Sequence, residues 1–473
     1  MELMIPLKNQ AGLPYYIQIY NYMKEEIKKG NLKPSTRLPS TRLLAEHLKI
    51  SRSTTQMAYE QLLSEGYIEA VPYKGYYVLK IDGLVHTGQE QREKEIPFFS
   101  KSFREKKKEY EVDFSPRGID LGAFPFNTWR KISKNTLVDD NRELFLTGDP
   151  QGEVSFRETI RTYLHSARGV NCSVDQIIVG AGSEYLLMLL SQILTDSRII
   201  AMENPTYKQA YRVFDSLNYH VVPVYMDNQG MNVELLEKSG ADTAYVMPSH
   251  QYPTGIVMPV KRRQELLLWA YKKEGRYLIE DDYDSEFRYK GQPIPALQGM
   301  DQQERVIYIG TFSKSIAPAI RVSYMVLPDA LLSLYRKKVS FYASTVSRID
   351  QKILNQFMAE GHYERHLNRM RAVYKSKHDV LVSELKAFES QFIIQGEYAG
   401  LHLLLTDKKN RTEKFLVEKA GEAGVKVYGM SGYFIHQEHN PYPPTVVLGF
   451  ASLTEAEIIK GLSLLYNAWE LSE

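Results

Sequence analysis

Between residues 177 and 326 the chain carries seven short apolar runs separated by amphipathic stretches, at 177–179, 198–202, 221–224, 244–247, 277–279, 306–309 and 322–326. Each run is too short for a helix and too uniformly apolar to keep one face in water. Such runs predict strands buried on both faces, as in a mostly parallel sheet covered by helices. In sheets of this kind ligands sit beyond the carboxyl ends of the strands. The part from Asp329 to Glu473 reads as more helical, with extra strands near 401–405 and 446–450.

The N-terminal part follows a different rule. Tyr16, Tyr20, Met23 and Ile27 recur at helical spacing until Gly30. Leu44 and Leu48 mark a second short helix reached through Pro39-Ser40, and Ser51 is placed to cap a third helix running to about Glu65. That third helix would bury Ala58, Tyr59, Leu62 and Leu63. Residues 67–79, turned at Lys74-Gly75, read as a two-stranded wing. The predicted order is helix, helix, turn, helix, β-ribbon.

Between the two parts, residues 80–112 are charged and nearly free of aliphatics, which predicts a linker. The expected domains are therefore 1–79, a linker over 80–112, and 113–473. A total of 473 residues suits one small module and one large domain, and 43% hydrophobic residues are enough for a sizeable core. No apolar run is long enough to span a bilayer, and the first residues do not read as a signal peptide. Cys172 is the single cysteine, which excludes an internal disulfide. A cytoplasmic protein, nucleoid-associated when on DNA, is expected, with no metal site. Residues 1–80 hold 11 Lys/Arg against 7 Asp/Glu, and the remainder 48 against 50. This mild basic bias permits DNA binding without establishing it.

Arg52, Ser53, Thr54 and Gln56 stand near the start of the third helix, where a recognition helix meets base edges. Arg37, Ser40 and Arg42, before and at the second helix, suit phosphate or groove contacts, and Ser51 and Lys74 complete the candidate surface. From spacing alone, a solvated polar face fits these residues equally well. The order of motifs decides. Residues 27–34, Arg37-Leu38-Pro39-Ser40-Thr41-Arg42, Ile50-Ser51-Arg52-Ser53-Thr54 and Ala58-Tyr59-Glu60-Gln61-Leu62 together resemble the GntR-type winged helix-turn-helix over roughly 13–79. The resemblance implies a double-stranded DNA operator as partner. One departure is Ser35, where the family usually has Gly after Pro34, so that turn is expected to be strained.

In the larger part, Thr311-Phe312-Ser313-Lys314 follows the apolar run 306–309. A lysine just past a strand end, flanked by hydroxyls, can serve as a Schiff-base nucleophile, with Arg321 as a phosphate partner. Taken alone, Lys314 is more often a solvated surface lysine. Residues 280–284, Glu-Asp-Asp-Tyr-Asp, put carboxylates at another strand end, and 180–184 form a Gly-containing turn before a Leu-rich helix whose N-terminus can take phosphate. An acidic solvated loop and an ordinary turn are the plainer readings.

With 148–152 (Gly-Asp-Pro-Gln-Gly), Glu203-Asn204-Pro205-Thr206-Tyr207 and Pro253-Thr254-Gly255, these pieces resemble fold-type I aminotransferases over about 113–470. The resemblance implies a pyridoxal 5′-phosphate cofactor. It makes Lys314 the Schiff-base residue, Asp281 the partner of the ring nitrogen and Tyr283 that of the ring hydroxyl. It sets Gly182, Ser183, Glu184, Thr311, Ser313 and Arg321 around the phosphate, and Tyr207 and Tyr252 beside the ring. The fused pair is similar to the MocR/GabR-like subfamily of GntR regulators, which implies a domain-swapped homodimer and a small-molecule effector.

Three departures bear on chemistry. No arginine precedes 446–450, where aminotransferases hold the substrate carboxylate; Tyr252 replaces an asparagine; and Leu146-Thr147 stand where an arm tyrosine is usual. The two arginines that the GABA-responsive regulators place on their effector correspond to Gln209 and Gly432. Arg117 is a candidate replacement, and it fits an anion contact and a structural role equally well. The sequence thus predicts a multidomain protein, a small winged helix-turn-helix plus a large α/β pyridoxal-phosphate-dependent transferase-like domain of fold-type I. Its expected function is a DNA-binding transcription regulator sensing pyridoxal phosphate itself, or an amine or amino acid other than GABA. The alternatives are an active aminotransferase carrying a DNA reader, and a DNA-binding protein whose large domain is a relic without cofactor.

Overall fold

A computed structural model describes residues 5–7, 13–80, 109–194, 199–289, 294–436 and 442–471. The chain divides into two units, Met1–Lys107 and Lys108–Glu473. The charged stretch expected to be a linker lies, over 81–108, outside the described residues.

In the small unit α1 (Tyr15–Lys28) buries Ile19, Met23 and Ile27, one residue per turn, and Gly30 leaves the helix at φ +77°. The second helix, α2 (Thr41–Leu48), starts where Ser40 accepts the Leu43 N–H at 3.2 Å. Lys49, in the left-handed region, turns the chain, and α3 (Arg52–Ser64) begins where Ser51 accepts the Thr54 N–H at 3.2 Å. The buried Thr55 hydroxyl donates to Thr41 O at 2.8 Å and Tyr59 Oη to Pro39 O at 2.9 Å, which fixes α3 against α2. The wing is β1 (Ile68–Val71) against β2 (Gly75–Val78). Its turn lies at Pro72-Tyr73-Lys74 and not at Lys74-Gly75, because Gly75 is already paired with Val71 and Tyr73 takes the positive φ. Ser35 has φ +63°, so a side chain does occupy a left-handed turn here.

The large unit opens with β3 (Val112–Asp113), one residue inside the stretch read as linker. Val112 is 2% exposed and pairs with Val425, so packing recruits it. Next come α4 (Phe126–Thr136), α5 (Val154–Arg168), β4 (Ile177–Gly180), α6 (Ser183–Ile193), β5 (Ile199–Asn204), α7 (Lys208–Ser216), β6 (His220–Asp227), β7 (Gly230–Met231) and α8 (Val233–Lys238). They are followed by β8 (Thr243–Val246), α9 (Val260–Tyr271), β9 (Tyr277–Asp282), β10 (Val306–Thr311), β11 (Ser323–Val326), α10 (Asp329–Lys338), α11 (Arg348–Ala359) and α12 (His362–Leu385). The chain closes with β12 (Phe392–Gln395), β13 (His402–Asp407), α13 (Glu413–Glu422), β14 (Val425–Lys426), β15 (Tyr428–Gly429), β16 (Thr445–Gly449) and α14 (Glu455–Ala468).

All seven apolar runs fall in one sheet of order β4-β11-β10-β9-β8-β5-β6-β7. It is parallel from β10 through β9, β8 and β5 to β6. One strand breaks the rule. β11 is antiparallel to both β10 and β4, which returns β4 to the direction of β10. The carboxyl ends of β4, β9 and β10 therefore point the same way, and they frame one crevice. A second sheet, β12-β13-β16-β15, is antiparallel and shares an apolar core with α12, α13 and α14. Among the described residues no helix is long and apolar enough to cross a membrane.

Candidate functional site

Strand alternation sorts the three acids at the end of β9. Glu280 and Asp282 face one side of the sheet and Asp281 the other. Glu280 accepts the Leu297 and Gln298 N–H groups, each at 2.8 Å, and Asp282 accepts Arg168 Nε at 2.8 Å and Tyr308 Oη at 2.5 Å. Both are spent on structure. Asp281 alone faces a pocket of about 270 Å³, where the Tyr245 hydroxyl of neighbouring β8 donates to it. Burial pushes the Asp281 carboxyl up to about 7, against the lowering effect of that hydrogen bond. A cationic N–H placed beside it would restore its charge.

Lys314 follows the end of β10 and enters the same pocket. Its Nζ donates to Pro116 O at 3.1 Å. Burial lowers its ammonium to about 8; Asp284 opposes the shift and the positive Arg117 adds to it. About a tenth of the amine is therefore neutral at pH 7, far more than for an ordinary lysine, which favours a nucleophilic role.

The third wall is the start of α6. Gly182 is its N-cap, with φ +95° and no side-chain cap, so the first amides of the helix have no side-chain acceptor. The φ of +95° favours glycine here, and a Cβ would also have to displace the Arg321 guanidinium, 2.4 Å away. Ser183, Thr311, Ser313 and Arg321 line the pocket around it. Thr311 Oγ1 accepts from Ser313 N at 3.1 Å and from Ser323 Oγ at 2.8 Å. Arg321 is paired with the Glu184 side chain at 2.8 Å, so Glu184 contributes a carboxylate as well as its backbone.

Tyr207, Tyr252 and Tyr283 also line the pocket. The Tyr207 and Tyr252 rings meet edge to face at 6.2 Å, and Tyr252 Oη donates to Tyr433 Oη at 3.1 Å. An uncapped amide cradle beside a cation, a buried carboxylate without a cationic partner and a part-neutral lysine fit the phosphate, ring nitrogen and aldehyde of pyridoxal 5′-phosphate. The expected residues are brought together here, Gly182 at the start of α6 and the others on the pocket wall. Of the three effector candidates, Arg117 and Gln209 line this pocket, whereas Gly432 lines only an adjoining outer cavity.

Sequence reading passed over Met247, Pro116 and Pro318, which also form the wall, and Tyr245, which stands behind Asp281. It also passed over His250, whose Nδ1 lies 3.0 Å from the Asp284 carboxylate and 2.9 Å from Tyr283 Oη. A tyrosine inside an otherwise aliphatic strand was the one signal for Tyr245. Nothing local marked the others.

The DNA candidates all lie in the small unit. Arg37, Ser40, Arg42, Ser51, Arg52, Ser53, Gln56 and Lys74 are exposed and Thr54 is half-buried. Ser40 and Ser51 spend their oxygens as helix caps, and Ser51 Oγ also meets Ser53 and Thr54 hydroxyls at 2.8 and 2.7 Å. Arg42 pairs with Glu46 at 3.1 Å and Gln56 with Glu60 at 2.9 Å. Arg37 bridges to Tyr77, with its guanidinium beside Gly75 of the wing.

Comparison with known proteins follows the same division. Residues 119–462 match the family described as aminotransferase class I and II, and residues 15–78 match bacterial regulatory proteins of the gntR family. The uncharacterized HTH-type transcriptional regulator YdeL of Bacillus subtilis is 38% identical, over 98% of this chain and 99% of its own. The probable rhizopine catabolism regulatory protein MocR of Rhizobium meliloti is 31% identical, over 98% and 96%. Among solved structures, the kynurenine aminotransferase of Pyrococcus horikoshii superposes with a TM-score of 0.69 at 25% identity, covering 78% of this chain and 93% of that one.

Proposed function

Because the chain belongs to the MocR-like transcription regulators, a GntR-type helix-turn-helix joined to a class I and II aminotransferase domain, we propose that it is a pyridoxal-phosphate-dependent DNA-binding regulator whose large domain reads a small amine or amino acid other than GABA. The single observation that carries this is one pocket holding Lys314, Asp281 and Arg321, with Arg117 at its mouth. When bound, pyridoxal phosphate supplies an aldehyde that exchanges among primary amines. The roles we assign are those the family resemblance implies, supported by the shared pocket. Lys314 is the amine that holds the cofactor, Asp281 keeps the ring nitrogen protonated, and Tyr283 faces the ring hydroxyl. Arg321, Ser183, Thr311, Ser313 and the start of α6, capped by Gly182 and followed by Glu184, hold the phosphate. Tyr207 and Tyr252 bound the ring.

GABA is disfavoured on electrostatic grounds. A carboxylate entering a partly desolvated pocket needs a compensating cation. Gln209 and Gly432 provide none at the two positions where the GABA-responsive regulators carry arginines, and the cations present, Arg117, Lys208 and Arg212, stand elsewhere along the pocket and outer cavity. Efficient transamination is disfavoured on the same ground, since the usual carboxylate arginine before β16 is absent. Pyridoxal phosphate acting as its own signal is the second reading, favoured by the near-complete set of phosphate and ring contacts.

On the DNA side, we assign base contacts to Arg52, Ser53, Thr54 and Gln56 at the start of α3. Backbone and wing contacts fall to Arg37, Ser40, Arg42, Ser51 and Lys74. The working unit we propose is a domain-swapped homodimer. Phe145, Leu146 and Phe341, 71%, 68% and 75% exposed in a single chain, support a partner surface on the large unit.

The test is a titration of operator binding. Holo protein is challenged with amines and amino acids, and apo protein separately with pyridoxal phosphate. A spectral change coupled to altered DNA affinity supports the amine reading. A change with pyridoxal phosphate alone supports the second. DNA affinity indifferent to both, or steady release of keto acid, overturns the proposal.

A further inference from the structure

The cofactor pocket opens outward. Pro116, Arg117, Tyr207 and Tyr252 border both the inner pocket and an outer cavity of about 990 Å³, so the two spaces share a neck. Arg117 is the cation at that neck. Its backbone N–H meets Ser115 Oγ at 3.4 Å, but among the described residues nothing bonds its guanidinium. Its charge nevertheless reaches both sides. It acts on Lys314 within and, against the dominant effect of burial, on the hydroxyls of Tyr252 and Tyr433. Buried Arg168, by contrast, is held by Asp282, Ser249 and a carbonyl.

Farther out, Lys208 and Arg212 of α7 line only the outer cavity. Neither has an acidic partner among the described residues. Lys208 Nζ donates to Phe434 O, and Arg212 meets the Gln209 amide oxygen at 3.4 Å. Burial lowers the Lys208 ammonium, and the neighbouring Arg212 charge lowers it further. The acids of this cavity are already engaged, Glu413 by Ser431 and Glu418 by Lys414. Room is available as well, since a Cβ on Gly432 would meet nothing within 4 Å. Two neighbouring cations repel, and an anion between them relieves both.

We infer that the effector is an α-amino acid whose side chain ends in a second acid: Arg117 takes the α-carboxylate at the neck with the amine toward Lys314, and Lys208 and Arg212 take the distal acid in the outer cavity. The α-arrangement follows from placement. Arg117 shares the inner pocket with Lys314, so the carboxylate it holds belongs near the amine, whereas the other two cations are reached only beyond the neck. This rests on the amine-reading function proposed above.

The test uses full-length protein loaded with pyridoxal phosphate and follows the visible absorbance. Four probes are titrated: L-glutamate, L-2-aminoadipate, L-norleucine, which lacks the distal acid, and 5-aminopentanoate, which lacks the α-carboxylate. At least one diacid is expected to act with an apparent Kd about tenfold or more below both single acids. Arg117→Ala should weaken the diacid and norleucine alike. Arg212→Ala, at an exposed position that folding tolerates, should bring the diacid down to the level of norleucine while leaving norleucine unchanged. Equal affinity for diacids and norleucine, or a diacid preference that survives Arg212→Ala and Lys208→Ala, overturns the inference. Borohydride fixation separates the two levels. If Lys314 is labelled and the diacids hold no advantage, this inference fails alone; if Lys314 is not labelled, the proposed function fails with it.

Discussion

The Tyr283 hydroxyl lies 2.9 Å from Nδ1 of His250, with the ring nitrogen itself 3.0 Å from the Asp284 carboxylate. The hydroxyl we assign to the cofactor is thus tied from behind by a buried imidazole. The imidazole has little freedom, because a Cβ on Gly400 would stand 1.9 Å from His250 Cε1. His250→Phe should remove the tie without removing the ring volume. Losing one hydrogen bond to the tyrosine is worth about 1 kcal/mol, so the pH midpoint of the bound-cofactor absorbance should move by somewhat under one unit. A spectrophotometric pH titration of the variant against the parent checks this, and an unmoved midpoint would separate His250 from the cofactor.

Capture of pyridoxal phosphate should depend on pH through Lys314. With its ammonium lowered to about 8, the neutral amine grows about tenfold per pH unit below that point and levels off above it. Stopped-flow absorbance on apo protein between pH 6 and pH 9, a range set by that value, should show this rise and plateau. Lys314→Ala should abolish the borohydride-fixed label at every pH.

Asp281 should cost the apo protein stability that the cofactor returns. Its folded-state carboxyl is raised to about 7 from an ordinary value of 3.8. Between those values the folded state holds a proton that the unfolded chain has released, so apo stability falls as pH rises through the window. Asp281→Asn should therefore stabilise apo protein above pH 7, by about 1–3 kcal/mol, while weakening pyridoxal phosphate binding. Thermal melts of apo and holo forms on both sides of the window check the two signs together.

Arg52 and Arg42 should not contribute equally to DNA binding. Arg42 is paired with Glu46 on its own helix, whereas Arg52 has no side-chain partner among the described residues. Arg52→Ala should weaken operator binding by about 1–3 kcal/mol if it reads a base. Arg42→Ala should cost less, since its DNA contact must first release Glu46. Gel shifts of both variants at matched salt give the ratio, and cofactor absorbance should be unchanged in each.

Ser35 offers a stability test independent of either site. Its φ of +63° is strained for a residue with a Cβ. Ser35→Gly should relieve that strain, offset in part by the greater freedom of glycine in the unfolded chain, for a net gain of about 0.5–1 kcal/mol. Denaturation of the variant should show the gain with operator affinity unchanged.

Much of this protein was determined locally. Ser40 and Ser51 cap helices through contacts three residues away. The spacing of Ile19, Met23 and Ile27 and the seven apolar runs likewise act within a few residues, and such signals are visible in a chain read one stretch at a time. That Lys314, Asp281 and Arg321 would share one pocket was legible because their motifs occur in a familiar order. Other features were decided by tertiary structure alone. The antiparallel insertion of β11, which aligns the ends of β4 and β10, is a choice of strand pairing that no single strand encodes. Only the register of β8 against β9 brings Tyr245 to Asp281. The capture of Lys314 Nζ by Pro116 O, the pairing of Arg321 with Glu184 and the freedom of Arg117 all depend on residues more than a hundred positions apart, or on the absence of any such partner. Sequence periodicity and capping chemistry reach about four residues; the charge balance of a buried pocket is set by whichever distant side chains the fold delivers to it, and that balance decides what the pocket can bind.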